Sequence, residues 1–309
     1  MTKNKIKHRK KIEISGYAVV IGLSLLFYTC CLLFIIGWGL MKSLHYYKEW
    51  DLFCRSSQYT SIPKQWSLEN YLVALNVIGV KAQDRTVGLP EMLFNSLFYS
   101  VGCALVSVIT TAVMAYVTTK HNFAFNKVIN FCFFFAMLVP ILGAMPSSIR
   151  VTTFLGLRNT WIGMFIMKMN FTGGTSYLIL QAAFKSIDEG YKEAALIDGA
   201  SNLTIMLQII FPLVMPILTT LFMLGFIGCW NDYSAPMIYL QHNPTAAYGL
   251  FLYSNGQGQA IKYNGVSYSP SSVPVRVAGY MILIGPIFLM FMLFKNKLMG
   301  NLSEGGLKG

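Results

Sequence analysis

The carboxylates of this chain are concentrated in one short segment. Of the 12 Asp and Glu residues, four lie between positions 188 and 198: Asp188, Glu189, Glu193 and Asp198. A run of charge is most often simply a solvated helix face. The alternative is a docking contact, because exposed carboxylates can form ion pairs with a partner protein. The run of charge alone does not decide between these two interpretations.

The residues around these acids predict a helix, a turn and a second helix. Glu, Ala, Leu and Ile favour a short helix over 191–197. Gly199 permits a turn with positive φ, and Ser201 or Asn202 is suited to cap the next helix. Ala194 and Ala195 would give a smooth surface that a soluble partner can approach closely.

Polar side chains next to apolar stretches are a second group of candidates. Lys168 and Asn170 interrupt an apolar stretch, where an ionisable group suggests a cavity or pathway. Lys168 could instead extend toward an interface. Asp232 could be a helix-end contact or part of a gate, and the sequence leaves both open. Trp161 and Phe165 could stack on a ring of a bound ligand, although aromatics at helical spacing more often pack in a core or face lipid.

The sequence shows no catalytic apparatus. It contains neither GxxxxGK[ST] nor HExxH, and His and Cys lack the spacing of metal ligands. We therefore predict no catalytic residue, no metal site and no cofactor bound by this chain.

Apolar residues dominate the elements that must position these groups. The 309 residues are 55% hydrophobic and 12% charged, about half the charge of a typical soluble domain. A net charge of +12 could indicate a nucleic-acid binder, but such a protein needs a polar surface that this composition excludes. The sequence predicts an all-α polytopic membrane protein without a nucleic-acid partner.

Apolar stretches with few or no charges divide the chain into predicted membrane spans, and Lys168 interrupts the fourth of them. A bilayer core of about 30 Å requires about 20 apolar residues in a helix. The six predicted spans are 15–41, 91–119, 128–149, 160–183, 207–232 and 275–294. Prolines within the third, fifth and sixth spans should kink or interrupt their helices.

The distribution of basic residues predicts the orientation. The basic segment 1–14 should lie in the cytoplasm by the positive-inside rule. Six spans then place 184–206 and the tail 295–309 on the same side. The segments 42–90 and 233–274 become extracytoplasmic loops.

Five short motifs occur in order from about residue 66 to the C-terminus. EAALIDGA is followed at fixed distances by Ile209, Pro212 and Pro216. The others are Asn95-Ser96, GLRNT at 156–160, WND at 230–232 with Pro236 and Tyr239-Leu240, and EGGLKG at 304–309. Together they resemble binding-protein-dependent ABC importer permeases, and the ending resembles the maltose-permease-G-type carbohydrate subfamily. Phe211 stands where this family commonly has leucine.

The resemblance implies a type I importer permease fold, N-in and C-in, in the bacterial cell membrane. It implies that the segment from Glu193 to Gly199 is a coupling helix, with Glu193 as ion-pairing contact and the alanines as packing surface. The implied coupling residues are Glu193, Ala194, Ala195, Asp198, Gly199, Ile209 and Pro212. The implied tail contacts are Gly305, Gly306, Lys308 and Gly309. The candidate pathway or gate residues are Asn95, Lys168, Asn170, Trp230, Asn231 and Asp232.

The resemblance also implies a set of partners. These are a second, non-identical permease subunit, two ATP-binding subunits that carry ATP and Mg, an extracytoplasmic solute-binding protein, the lipid bilayer and a carbohydrate substrate. An oligosaccharide is favoured over an amino acid or a metal. An ATP-independent secondary transporter or channel is the first competing class, but the acids avoid the span interiors. A membrane scaffold is the second, and the prolines within the spans argue against it.

Overall fold

The computed structural model describes residues 16–46, 62–82, 85–121, 124–138, 143–170, 174–256, 261–263, 266–268 and 272–304. Within these ranges four helical segments are long and apolar enough to cross a membrane. They comprise α1 (Gly16–Ser43), α3 (Leu89–Lys120), α10 (Phe211–Asn231) with the short turns before it, and α13 (Val273–Glu304). They coincide with the first, second, fifth and sixth predicted spans.

The third and fourth predicted spans are each built from two shorter helices. These are α4 (Asn126–Leu138) with α5 (Ala144–Phe154), and α6 (Trp161–Met167) with α7 (Gly174–Lys185). The interruption between α4 and α5 agrees with the kink or break expected from the prolines of the third predicted span, whereas no break was predicted within 160–183. Gly143 and Gly174 have φ of 73° and 51°, a left-handed conformation that interrupts a helix. The count of six spans stays a prediction.

Short elements fill the segments between the long helices. They are α2 (Glu69–Val77), α8 (Gly190–Ile197), α9 (Asn202–Thr204), a π-helical turn (Ile205–Ile210), α11 (Ser234–Tyr239) and α12 (Ala246–Ser254). Two antiparallel hairpins accompany them: β1 (Gly79–Ala82) with β2 (Arg85–Gly88), and β3 (Ile261–Tyr263) with β4 (Val266–Tyr268). The fold is mostly helical, as predicted, and the two hairpins are short additions that the all-α prediction did not include. Both hairpins lie in segments predicted to be extracytoplasmic loops.

An outer core holds the first hairpin against the helix ends. Val80 and Ala82 of β1 are buried while Lys81 between them is exposed, as the alternation of a strand requires. Val80 pairs with Val87 of β2. These residues pack with the start of α3, with α2 and α12, and with the first turns of α13. The segments 42–90 and 233–274 therefore contain folded structure that joins the long helices.

An inner core lies at the other end of α3. It joins the second half of α3 with α7, with the π-helical turn and with the first half of α10. Apolar side chains of α3 pack along both α7 and α10, so α3 is the central helix of the bundle. By contrast, α1 packs mainly on α13, and the window that qualifies it as a span is not buried by the rest of the chain.

Candidate functional site

The segment after α7 folds as a helix that ends on a left-handed glycine. Gly199 has φ of 77°. The N–H groups of Gly199 and Ala200 donate to the carbonyls of Leu196 and Ala195 at 3.1 and 2.9 Å. These two bonds form the Schellman pattern by which helices end on glycine. The predicted short helix and glycine turn are confirmed as local structure.

A serine cap and a π-helical turn connect this helix to α10. Ser201 caps α9, and its Oγ accepts a hydrogen bond from the Thr204 N–H at 3.2 Å. At the other end of the π-helical turn, the Phe211 N–H donates to the Met206 carbonyl. Five residues separate these partners where an α-helix has four, and such turns are frequent at functional sites. The predicted serine cap is confirmed.

The two alanines of the EAA motif face different surroundings. Ala195 is 7% exposed and belongs to the inner core. Ala194 is exposed. The expectation that both alanines form an outward surface is therefore wrong for Ala195, because α8 turns that side toward its own bundle.

The opposite side of α8 combines a carboxylate with exposed apolar side chains. Glu193 is exposed, Ile197 is 87% exposed, and Leu196 next to it is also exposed. Glu193 and Ile197 are four residues apart and therefore neighbours on the helix surface. We call Glu193, Leu196 and Ile197 the docking face. Two large apolar side chains exposed side by side next to a charge make this face a candidate contact surface for a partner protein.

The other residues implied in coupling lie around this face. Asp198 and Gly199 are exposed at the end of α8. Ile209 is partly buried in the inner core, in the π-helical turn. Pro212 is exposed in the first turn of α10. Ile209 and Pro212 therefore shape the connection to α10 and do not join the docking face.

Replacing Gly199 by alanine is expected to destabilise the turn by about 1 kcal/mol, because side chains are strained in the left-handed region. An added Cβ would meet no other described atom within 4 Å, so the backbone alone causes the effect. Gly199→Asn should cost less, since asparagine tolerates this conformation. Thermal unfolding of the purified protein in detergent measures both.

Gly228→Ala is the matched control, because its Cβ also meets nothing within 4 Å and its φ is helical. It should not destabilise the protein. If Gly199→Ala unfolds at the same temperature as Gly228→Ala, the turn does not need glycine.

Three aromatic rings pack together in the inner core, near α8. Tyr116 of α3 contacts Phe184 of α7 and Phe211 of α10, with ring centroids 5.8 and 6.3 Å apart. Phe184 and Phe211 are stacked at 6.1 Å. Phe211, which departs from the family's usual leucine, thus completes an aromatic cluster that joins three helices.

A charged cluster joins three elements near the end of α10. Asp232 Oδ2 accepts hydrogen bonds from Lys168 Nζ and from the Tyr99 hydroxyl, each at 3.0 Å. Asp232 Oδ1 accepts from the Ser234 and Ala235 N–H groups at 3.0 and 3.1 Å. Asp232 is therefore a helix-end contact and at the same time the ion-pair partner of Lys168. Neither the pathway interpretation nor the interface interpretation of Lys168 requires a fixed carboxylate beside it. The sequence did not indicate this ion pair.

Two of the recognised motifs are bonded to each other. Asn159, with φ of 61°, donates its N–H to the Tyr239 carbonyl at 2.8 Å. Its Oδ1 accepts from the Gln241 N–H at 2.8 Å. The Tyr239 hydroxyl in turn bonds to Ser148 on α5. The GLRNT segment is thus fixed to the end of α11.

The remaining pathway candidates mostly have packing contacts. Asn95 is buried, and its Nδ2 donates to the Pro244 carbonyl at 3.1 Å. The buried Trp230 donates from Nε1 to the Leu283 carbonyl at 3.2 Å. Asn231 is exposed and bonds back to its own helix. The Asn170 N–H donates to the Thr110 hydroxyl at 3.2 Å. The structure brings Lys168 and Asp232 together and leaves Asn95, Trp230 and Asn231 outside that cluster.

The tail candidates Gly305, Gly306, Lys308 and Gly309 lie outside the described residues. The sequence did not identify three residues that make important contacts. They are Ile197 in the docking face, Tyr99 in the charged cluster, and Lys120, which ends α3 and bonds to Glu189. A large apolar residue in a polar segment predicted to be cytoplasmic was a usable signal for Ile197. Tyr99 and Lys120 carried no such signal, because their partners are distant in sequence. Within the described ranges, no group of three His, Cys, Asp or Glu residues is placed to hold a metal ion.

The sequence matches a family model over more than half its length. The model is described as the binding-protein-dependent transport system inner membrane component, and it matches residues 84–302. The match includes α3, α8, the charged cluster around Asp232, and α10.

Individual relatives align over most of their own lengths. The Escherichia coli K12 inner membrane ABC transporter permease protein YcjP is 27% identical over 253 residues, 81% of this chain and 83% of that protein. The Thermococcus litoralis trehalose/maltose transport system permease protein MalG is 25% identical over 245 residues, 79% and 82% of the two chains. The Streptococcus mutans multiple sugar-binding transport system permease protein MsmG is 27% identical over 258 residues, which cover 81% of this chain and 89% of that protein.

A solved structure shares the fold. It is a bacterial ABC transporter involved in the import of the acidic polysaccharide alginate, with a TM-score of 0.70 and 20% identity. The alignment covers 96% of this chain and 99% of that chain. At this identity the likeness establishes the architecture alone.

Proposed function

Because this chain belongs to the family of binding-protein-dependent transport system inner membrane components, we propose that it is a permease subunit of an ATP-driven carbohydrate importer. It forms half of the translocation pathway, beside a second, non-identical permease. Two ATP-binding subunits hydrolyse ATP, and an extracytoplasmic solute-binding protein delivers the sugar. Alternating access moves the sugar across the inner membrane.

The docking face carries this proposal. Ile197 is a large apolar side chain that is 87% exposed in a segment predicted to lie in the cytoplasm. Exposing it to water is unfavourable, and burial in a partner's groove removes that cost. Glu193 beside it supplies a charge that an ion-pairing partner can recognise. A cleft on each ATP-binding subunit is the proposed receptor for α8.

The proposed coupling follows from how α8 is anchored. Ala195 is packed in the inner core, so α8 does not hang freely from the chain. When the ATP-binding subunits close on ATP, they pull the docking faces of the two permeases together. The π-helical turn and Pro216 in α10 are places where that helix can bend during the change.

An oligosaccharide is the proposed substrate class. The relatives include a starch degradation products permease and a melibiose/raffinose/stachyose permease. Maltose, raffinose and diacetylchitobiose form a suitable test panel for the solute-binding protein encoded with this chain. Calorimetric titration of that protein with each sugar would identify the substrate.

Reconstitution tests the proposed function as a whole. The chain is co-expressed with the second permease and the ATP-binding subunits, purified and placed in liposomes. We expect uptake of the panel sugar that the solute-binding protein binds. Uptake should stop when either ATP or the solute-binding protein is omitted. Uptake that continues without ATP would instead support a secondary transporter or channel.

A further inference from the structure

Two lysines connect the inner end of α3 to the segment that leads into α8. Lys120 is the last residue of α3, and its Nζ donates to the Ile187 carbonyl at 2.7 Å and to Glu189 Oε1 at 2.6 Å. Lys192 in the first turn of α8 donates from Nζ to the Lys120 carbonyl at 2.7 Å. We call Lys120, Ile187, Glu189 and Lys192 the lysine clamp. Each lysine reaches across to the segment that holds the other.

The clamp satisfies groups that would otherwise be unfavourable. The side chain of Lys120 is only 3% exposed, whereas that of Glu189 is 57% exposed. A cation buried to this extent requires hydrogen-bonding partners. The Lys120 carbonyl is one of the last four carbonyls of α3, for which the helix itself provides no N–H donor. The Lys192 ammonium at that position is also favoured by the helix dipole.

The connectivity of the chain gives the clamp a distinct role. The backbone joins α8 to α7 on one side and to α9 and α10 on the other, but not to α3. Apolar packing through Tyr116 and Ala195 also brings α3 and α8 into the inner core. Packed apolar surfaces can slide past one another by small shear movements. Hydrogen bonds of defined length restrict that sliding and fix the position of α3 along its axis.

We propose that Lys120 and Lys192 are positioning residues that make α3 follow the movement of α8. The inference rests on the proposed function, in which α8 receives the force of ATP binding. Without the clamp, α8 still docks on the ATP-binding subunit through Glu193 and Ile197. The movement then reaches α7 and α10 through the backbone and is lost between α8 and α3.

The test is the number of sugar molecules transported per ATP hydrolysed by the reconstituted complex. The variants are Lys120→Met, Lys120→Arg, Glu189→Gln and Lys192→Met, and the sugar is the panel member bound by the solute-binding protein. In Lys120→Met we expect ATP hydrolysis to persist and the ratio to fall about tenfold, within the usual range of coupling between sites. Lys120→Arg keeps the cation and should fall less. Glu91→Gln, which breaks the exposed Arg85–Glu91 pair of 2.8 Å, is the matched control and should keep the ratio.

Each outcome of this experiment either supports or overturns the inference. An unchanged ratio in assembled Lys120→Met overturns the inference. An equal loss of hydrolysis and uptake indicates a merely structural role and overturns it too. If Lys120→Met does not assemble, Glu189→Gln and Lys192→Met decide by the same ratio: a reduced ratio supports the clamp, and an unchanged one refutes it. Failure of the wild-type chain to form a hydrolysing complex refutes the proposed function, and this inference with it.

Discussion

Glu193→Arg is expected to abolish sugar uptake and to reduce co-purification of the ATP-binding subunits by tenfold or more. The substitution reverses a charge at the centre of the docking face, and juxtaposed like charges at an interface cost several kcal/mol. Because Glu193 is exposed, the chain itself should still fold and insert. Affinity purification through a tag on this chain, followed by quantification of the bound ATP-binding subunit, measures the effect.

Ile197→Glu tests the apolar half of the same face. Placing a charge in a groove that receives an isoleucine should also weaken binding by about tenfold or more, because the carboxylate would be buried without a partner. Ile62→Glu is the matched control, since Ile62 is also an exposed isoleucine and lies in a segment predicted to be extracytoplasmic. Normal recovery of the ATP-binding subunit with both Glu193→Arg and Ile197→Glu would rule out the docking face.

Asp232→Asn is expected to lower the stability of the protein by about 1–3 kcal/mol, because it removes one partner of a partly buried, hydrogen-bonded ion pair. Lys168 would keep its charge next to a neutral amide, while the Tyr99 hydroxyl would retain an acceptor. Uptake should fall at least tenfold, because Asp232 ties α10 to α3 and to the end of α6. Thermal unfolding in detergent and uptake in liposomes measure the two effects.

The double variant Asp232→Asn with Lys168→Met separates charge from shape. It removes both charges, so it should recover part of the stability that Asp232→Asn loses. Glu91→Gln, at the exposed Arg85–Glu91 pair, is the control and should change stability by at most about 1 kcal/mol. An Asp232→Asn protein as stable as Glu91→Gln would mean that the ion pair contributes nothing.

Features encoded in a few consecutive residues were predictable from the sequence. Gly199 and Ser201 specify the turn and the cap through their own backbone and side-chain preferences. Charge-free stretches likewise located α1, α3, α10 and α13. They could not locate the break at Gly174, because hydropathy does not report a left-handed φ; the interruption of the third span was indicated by its prolines.

Contacts between distant residues were not predictable from one sequence. Lys120 and Glu189 are 69 positions apart, and Tyr99 and Asp232 are 133 apart. Each pair forms only when the helices have packed, and no local pattern distinguishes a lysine that ends a helix from one that is clamped. The burial of Ala195 was unpredictable for the same reason, because packing against the other helices decides which side of α8 faces inward.

The length of α3 has a mechanical consequence. Its 32 residues correspond to a rod of about 48 Å, against a hydrocarbon layer of about 30 Å. The only proline in this rod is Pro90, in its first turn, whereas α10 and α13 carry Pro216 and Pro286 in their interiors. A helix without an interior proline keeps its hydrogen bonds and bends less readily than a helix that a proline kinks. With α3 spanning the membrane as predicted, a displacement of its C-terminal end would be carried along the helix to the β1–β2 hairpin, which packs at its other end.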